Sequence, residues 1–223
     1  MEEKELREML REGALELGVG LDEGAVSAFM TLLRELKAWN RKINLTSIEG
    51  DAEIVVRHFL DSLTLCRFLD GTERLLDVGT GAGFPGIPLK IAMPGLASVL
   101  LDSVAKKVHF IRHIIRTLGL GGTVKGSIEA VSGRVEDRAL VERYAGTFDC
   151  VVSRAFSELK DFVAVGRPYL KPGGRLIAMK GPAYAGELEV AGLEGLSAPE
   201  VHKVRLPSTD IVTVHVVFTR QNP

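Results

Sequence analysis

Cysteine is nearly absent from this chain. Its two cysteines, Cys66 and Cys150, stand far apart in apolar runs. That distribution excludes a disulfide framework and a thiolate zinc site, and it predicts buried thiols in a reducing compartment. Net charge is lacking too: 28 Lys and Arg against 29 Asp and Glu leave a formal −1. No global positive field draws such a protein to nucleic acid, so any contact of that kind must use local patches. No apolar run reaches the length of a membrane span, and Met1 to Glu16 is an acidic-rich helical pattern rather than a secretory signal. Internal repeats and low-complexity segments are missing as well. The expectation is a cytoplasmic monomer with neither membrane nor metal partner. The 223 residues, 46% of them hydrophobic, suffice for a full core in one domain of about 150 residues with an appendage.

Leu6, Leu10 and Leu17, then Val26, Phe29, Leu33 and Leu36, then Val56, Leu60 and Leu63 recur at helical spacing. This predicts three helices over residues 1–70. From Arg74 onward short apolar strands alternate with helices: Leu75 to Gly79, Ser98 to Asp102, Thr123 to Val131, Phe148 to Ser153 and Arg175 to Lys180. A polar surface helix is expected over Glu136 to Tyr144 and a short helix near Ala183 to Leu193. The runs His202 to Leu206 and Ile211 to Thr219, joined by Pro207-Ser208-Thr209-Asp210, predict an antiparallel hairpin closing the sheet. The fold class is therefore α/β and Rossmann-like: a mainly parallel, doubly wound sheet with an antiparallel C-terminal hairpin. A helical extension, residues 1–70, precedes a core of residues 71–223.

The most informative stretch is Asp77-Val78-Gly79-Thr80-Gly81-Ala82-Gly83-Phe84-Pro85-Gly86, which follows the first strand directly. Glycine accepts φ > 0 and lets a ligand approach the backbone without meeting a Cβ, so Gly79, Gly81 and Gly83 describe a nucleotide cradle; the plainer reading is a tight strand-to-helix loop. In an open α/β sheet the ligand lies at the carboxyl ends of the strands. Those ends here are Asp77, Asp102, Arg134-Val135-Glu136 and Ser153-Arg154. Asp102 is placed to accept two ribose hydroxyls, each bond contributing about 1.5–3 kcal/mol, or to cap the helix that follows. Gly81 to Gly86 also satisfies the dinucleotide pattern G-x-G-x-x-G. A carboxylate opening the turn suits the ammonium end of a methionine moiety better than a pyrophosphate, which favours S-adenosylmethionine. The Lys171-Pro172-Gly173-Gly174 stop before the fifth strand, common in methyltransferases, points the same way.

Trp39-Asn40 with Asn44-Leu45-Thr46-Ser47, Arg57-His58-Phe59-Leu60-Asp61-Ser62, Asp77 through Leu89, Leu100-Leu101-Asp102-Ser103, Arg134-Val135-Glu136, Ser153-Arg154-Ala155-Phe156 and Met179-Lys180-Gly181 stand in a fixed order. Over about residues 36–182 the chain resembles the RsmG family of bacterial small-subunit ribosomal RNA methyltransferases, also called glucose-inhibited division protein B. The resemblance implies methyl transfer from S-adenosylmethionine to N7 of guanine 527, in the 530-loop region of 16S rRNA. The RNA would be met within the 30S subunit or its precursor. It further implies cofactor contacts at Gly79, Phe84, Val135, Glu136 and Arg154. The glycine-rich link Gly119 to Gly126 is longer than the family pattern.

Guanine N7 carries an in-plane lone pair and no proton, so its methylation needs positioning and no general base. No catalytic acid or base is therefore assigned. Arg154 is the candidate anchor for cofactor or target nucleotide, against the alternative of an internal salt bridge. Phe84 or Phe156 is the candidate aromatic packing surface. On the helix Val104 to Leu118, Lys106, His109, His113 and Arg116 form a basic stripe opposite Val104, Val108, Ile111, Ile115 and Leu118. Lys106 and Arg116 on this stripe, with Arg41, Lys42, Arg57, His58, Lys125 and Lys180, are the candidate RNA contacts. His58, beside Phe59 on an apolar helix, also reads as a packing residue. Two rival functions use the same residues: an NAD(P)-dependent oxidoreductase and a non-catalytic RNA-binding protein.

Overall fold

The structure is a computed structural model that describes residues 1–121, 126–154, 156, 158–188 and 194–221. Helices α1 (Glu3–Glu16) and α2 (Glu23–Ile43) form an antiparallel pair. Their ends follow from sequence. Glu2 and Glu5 form a capping box at the start of α1, and the Asp22 carboxylate accepts the Ala25 N–H to open α2. Asn44 closes α2 in the left-handed region at φ 50°. The third helical stretch is composite: α3 (Asp51–Ile54), a π-helical turn (Val55–Leu60), α4 (Asp61–Leu63) and a 3₁₀ turn (Thr64–Phe68).

Seven strands follow: β1 (Arg74–Val78), β2 (Ala97–Asp102), β3 (Ile128–Ser132), β4 (Phe148–Arg154), β5 (Leu170–Lys180), β6 (Glu200–Arg205) and β7 (Val212–Thr219). The sheet order is β3-β2-β1-β4-β5-β7-β6. Strands β1 to β5 run parallel, and β7 inserts antiparallel between β5 and β6. Helices α5 (Gly86–Ala92), α6 (Ala105–Thr117), α7 (Arg138–Tyr144) and α8 (Leu159–Gly166) make the crossovers. The parallel sheet with its terminal hairpin is the architecture expected from the sequence. The order reverses between β1 and β4, so the ends of those two strands flank the switch point.

Several boundaries differ from the periodicity. The third strand is Ile128–Ser132 rather than Thr123 to Val131, and residues 123–125 lie outside the described residues. β5 begins at Leu170, because Lys-Pro-Gly-Gly does not end a helix but runs on as an irregular start to the strand, with a register shift opposite Phe148 and Cys150. Gly173 N–H donates to the Arg220 carbonyl at 2.9 Å, and Arg220 N–H to the Gly174 carbonyl at 2.8 Å, tying the irregularity down. Helix α7 starts at Arg138 rather than Glu136, because the Asp137 carboxylate accepts the Arg134 N–H and holds Arg134 to Glu136 as a loop. The segment from Ala183 is a 3₁₀ turn, Pro182–Glu187, and residues 189–193 lie outside the described residues.

Alternation along the strands divides the core. Leu75, Leu100, Cys150, Val152 and Ile177 face a cluster that includes Leu10, Phe29, Leu36 and Phe59 from the first 70 residues. Leu76, Val99, Leu101 and Val151 face the opposite cluster with Phe162 and Tyr169. The N-terminal helices thus share one side of the sheet with α5 and α6, against which they pack. Both cysteines are buried and unpaired, with their thiols pushed up to about 12 by burial. Among the described residues no helix is long and apolar enough to cross a membrane.

Phe110 joins the two parts: it is fully buried on α6 with its ring 5.6 Å from that of Trp39 on α2. Phe110→Ala is expected to lower the unfolding free energy by about 3–5 kcal/mol in denaturant titration. A loss under about 1 kcal/mol would show that this seam is not packed as described.

Candidate methyl-donor site

The turn after β1 is built by two carboxylates. Asp77 has no exposed surface. One of its oxygens accepts the Thr80 hydroxyl at 2.6 Å and the Gly86 N–H at 2.9 Å, while Oδ1 is buried without a partner. Burial pushes this carboxyl up to about 6, against the downward pull of those two hydrogen bonds. Asp102, at the end of β2, spans the other side: Oδ2 accepts the Gly81 N–H and Oδ1 the Val104 N–H, both at 2.8 Å. It therefore caps the approach to α6 and pins the turn at once.

Glycine is demanded here for two different reasons. Gly79 sits at φ 70° with nothing within 4 Å of where a Cβ would stand. Gly86 lies so close to β2 that a Cβ would fall 2.0 Å from Leu100 Cδ2 and 3.0 Å from Asp77 Oδ2. Gly83 packs against Ile87 rather than facing a ligand. The peptide N–H groups are largely spent inside the protein. Gly79 and Thr80 donate to the Leu101 carbonyl, Gly83 and Phe84 to the Thr80 carbonyl, Gly81 to Asp102 and Gly86 to Asp77. The turn is no ring of free donors for an anion; its charge is that of two carboxylates.

Beside it lies a cavity of about 230 Å³ lined by Gly79, Asp102, Ser103, Val135, Glu136 and Phe156, among others. Of the sequence-derived cofactor candidates, Gly79, Asp102, Val135 and Glu136 meet here. Tyr169 steadies this wall by donating its hydroxyl to the Val135 carbonyl at 2.5 Å. Asp77, Gly81, Gly83, Phe84 and Arg154 do not line it. Asp77 is a correction to the sequence reading: as a buried group it shapes the turn and offers an ammonium no direct contact.

Phe84 and Arg154 belong to an adjoining cluster. The Phe84 ring is 2% exposed and stacks on His58 at 4.5 Å and 12°. The Arg154 guanidinium sits 5.3 Å from the Phe84 ring centre. Arg154 Nη1 donates to the Arg57 carbonyl at 3.0 Å and lies 3.5 Å from Asp61, while Nη2 stands 3.1 Å from His58 Nδ1. The internal ion pair weighed against a ligand role is thus present. Burial pushes Asp61 up and Arg154 down, each opposed by the partner's charge. Arg154, Arg57, Asp61, Lys180 and Thr213 line a second cavity of about 410 Å³. The sequence reading assigned Asp61 no role, although a carboxylate after Leu60 in an apolar stretch was a usable signal.

The basic candidates separate clearly. Arg41 and Lys42 are exposed at the end of α2, and Arg57 is exposed and paired with Glu53 at 2.8 Å. Lys106 and Arg116 are exposed on α6, but the stripe they were read into is broken. His113 pairs with Glu35 at 2.6 Å and packs on Trp39, Val104 is 44% exposed, and the buried stripe is Val108, Phe110, Ile111 and Ile114. His58 is buried, and burial together with Arg154 pulls it down to about 3, so it is a neutral packing residue and not a phosphate contact. The Lys180 side chain is 7% exposed, pairs with Glu187 at 2.7 Å and donates to the Phe156 carbonyl at 3.0 Å, which removes it from the RNA surface. Lys125 lies outside the described residues. A cavity of about 930 Å³ lies away from the glycine turn and runs along the end of α2 past Lys37, Asn40, Arg41, Asn44, Ser47 and Ile54.

The sheet order and its inserted antiparallel strand are those of the class I methyltransferases. The chain superposes on a predicted O-methyltransferase of Agrobacterium tumefaciens with a TM-score of 0.55 and 19% identity, over 68% of this chain and 75% of that one. It also superposes on TYW2 of M. jannaschii, solved in complex with AdoMet, with a TM-score of 0.53 and 15% identity over 72% of this chain and 74% of that one. The sequence profile described as rRNA small subunit methyltransferase G matches residues 25–212, and the chain belongs to that family. A relative named ribosomal RNA small subunit methyltransferase G, from Geobacter sp. (strain M21), is 46% identical over 96% of this chain and 97% of its own length.

The buried Asp77 predicts a pH signature in the ligand-free protein. Its carboxyl stands at about 6 when folded against 3.8 in a free chain. The stability it contributes is full below the lower value and is lost as pH rises through the higher one. Relative to Asp77→Asn, the native protein should lose about 3 kcal/mol between about pH 4 and pH 7 in unfolding titrations. Parallel stability curves for the two proteins would contradict this.

Proposed function

We propose that this protein transfers a methyl group from S-adenosylmethionine to N7 of guanine 527 in 16S rRNA, meeting the RNA within the 30S subunit or its precursor. We further propose that it acts as a cytoplasmic monomer. Family membership supports the rRNA substrate. The observation that carries the donor is the turn itself, whose N–H groups are satisfied internally while two carboxylates flank it. A diphosphate would find few donors there and meet negative charge. A cationic sulfonium donor with a ribose diol suits it, and the TYW2 structure with AdoMet is a protein of the same fold.

The residues fit the adenosyl group. Each Asp102 oxygen keeps a second lone pair beyond its one N–H, available to ribose hydroxyls. Gly79 leaves the cavity wall free of a side chain, and Phe156 offers a ring beside it. Once bound, S-adenosylmethionine supplies a methyl carbon on a positive sulfur, which the guanine N7 lone pair attacks as the S–C bond breaks toward sulfur. The protein's part is to hold both groups in line and to keep water out. Arg154 and Lys180, both paired, line the second cavity, and Lys180 holds the carbonyl of Phe156, a residue that lines the first. Arg41, Lys42 and Arg57 at the open rim are the proposed phosphate contacts.

Titration calorimetry should find binding of S-adenosylhomocysteine and none of NADH. Methyl transfer to 30S particles lacking the mark should map to the single guanine N7. A methyl group elsewhere on the RNA, or NADH as the ligand, would overturn the assignment. Arg41→Glu with Lys42→Glu should weaken binding to 30S particles about tenfold or more and flatten its salt dependence, leaving affinity for S-adenosylhomocysteine unchanged.

A further inference from the structure

A chain of side-chain contacts runs from the large groove to the donor turn. At the groove, Asn40 Oδ1 accepts the N–H groups of Leu45 and Thr46 at 2.6 and 2.9 Å, and its Nδ2 donates to the Thr46 carbonyl at 2.9 Å. The loop after α2 is thereby held in one conformation against the helix. Thr46 Oγ1 accepts the Ile48 N–H at 3.1 Å and lies 2.8 Å from His58 Nε2. The far side of the same imidazole meets Arg154 through Nδ1, at 3.1 Å, and its face lies on Phe84 within the glycine turn.

Arg154 fixes the state of this ring. A guanidinium has donors only, so His58 Nδ1 must be the acceptor and carry no proton. The proton of the neutral ring is then on Nε2, where it is donated to Thr46 Oγ1. The groups facing the ring are Arg154 from β4, Thr46 from the loop, Phe84 from the turn, and the Arg57 carbonyl and charge from its own helical stretch; a second positive charge on the ring would face Arg154 directly.

We infer that His58 is a positioning residue for methyl transfer, an Nε2–H imidazole that sets Arg154 and Phe84 against the loop of residues 44–48. The inference rests on the proposed methyl transfer to RNA. It assigns His58 no contact with substrate. Its work is geometric: loop, ring, guanidinium and turn move as one body, so RNA seated along the groove is registered against the donor.

Two measurements test it, one independent of activity. Nitrogen NMR of the free protein should show His58 with Nε2 protonated and Nδ1 bare throughout the neutral range; an Nδ1–H ring or an imidazolium at pH 6 would overturn the geometry. Kinetics on 30S particles should show His58→Phe, which keeps the stack on Phe84, losing about tenfold to a hundredfold in kcat. Its affinity for S-adenosylhomocysteine should stay close to native, while its melting temperature falls because the buried Arg154 loses an acceptor. His58→Asn, which can restore an acceptor toward Arg154, should recover most of the loss, and Thr46→Val should reduce kcat in His58 protein but add nothing to His58→Phe. Native turnover in His58→Phe, or a loss that tracks melting temperature and is not recovered by His58→Asn, would reject the role. A native protein that binds no S-adenosylhomocysteine and methylates no RNA would instead reject the underlying function, with the NMR result still deciding the geometry.

Discussion

A carboxylate sealed from water holds this site together. The Asp77 carboxylate accepts the Thr80 hydroxyl and the Gly86 N–H, at either end of the turn. The second of them opens helix α5, and Asp102 fastens the middle through Gly81. Burying Asp77 is costly, as the rise of its carboxyl to about 6 and its unpartnered Oδ1 both record. What that cost secures is a backbone whose N–H groups face inward, next to an open cavity with carboxylate at its edge. The ligand preference of the turn follows from this wiring rather than from its glycines, which fit the dinucleotide pattern equally well.

The first 70 residues do more than cover the sheet. Arg57, His58 and Asp61 come from the composite helical stretch, yet their partner is Arg154 at the end of β4. The switch point between β1 and β4 is thus closed on one side by the N-terminal helices. Because a buried guanidinium is tolerated only when fully paired, Arg154 and this helical stretch constrain each other. Arg154, Lys180 and Asp61 line the cavity of about 410 Å³ that this pairing shapes.

Much of this was legible in the residues. Short apolar runs and the turns between them marked the strands, including the antiparallel pair though not the start of the third, and Asp77 to Gly86 marked the carboxyl edge beside the cavity. Asp102 was readable either as a site residue or as a cap; it lines the cavity and accepts the Val104 N–H, but Val104 itself is the first residue before α6 and that helix has no side-chain cap. What escaped depends on contacts between distant parts of the chain. No local pattern reveals that Glu35 on α2 engages His113 on α6, or that Lys180 is claimed by Glu187 and the Phe156 carbonyl. A cation in sequence reads as solvated until its neighbours are known. Asp77 misled for a related reason: a charge at the mouth of a turn looks available, and only packing shows it to be enclosed.

The most direct test is a crystal structure of the protein with S-adenosylhomocysteine. The adenosyl group should lie in the cavity formed by Gly79, Asp102, Val135 and Glu136, its ribose hydroxyls on the Asp102 carboxylate, with the Asp77 bonds to Thr80 and Gly86 intact. An adenosyl group bound elsewhere, or a turn that swings its N–H groups outward to receive a diphosphate, would contradict the account.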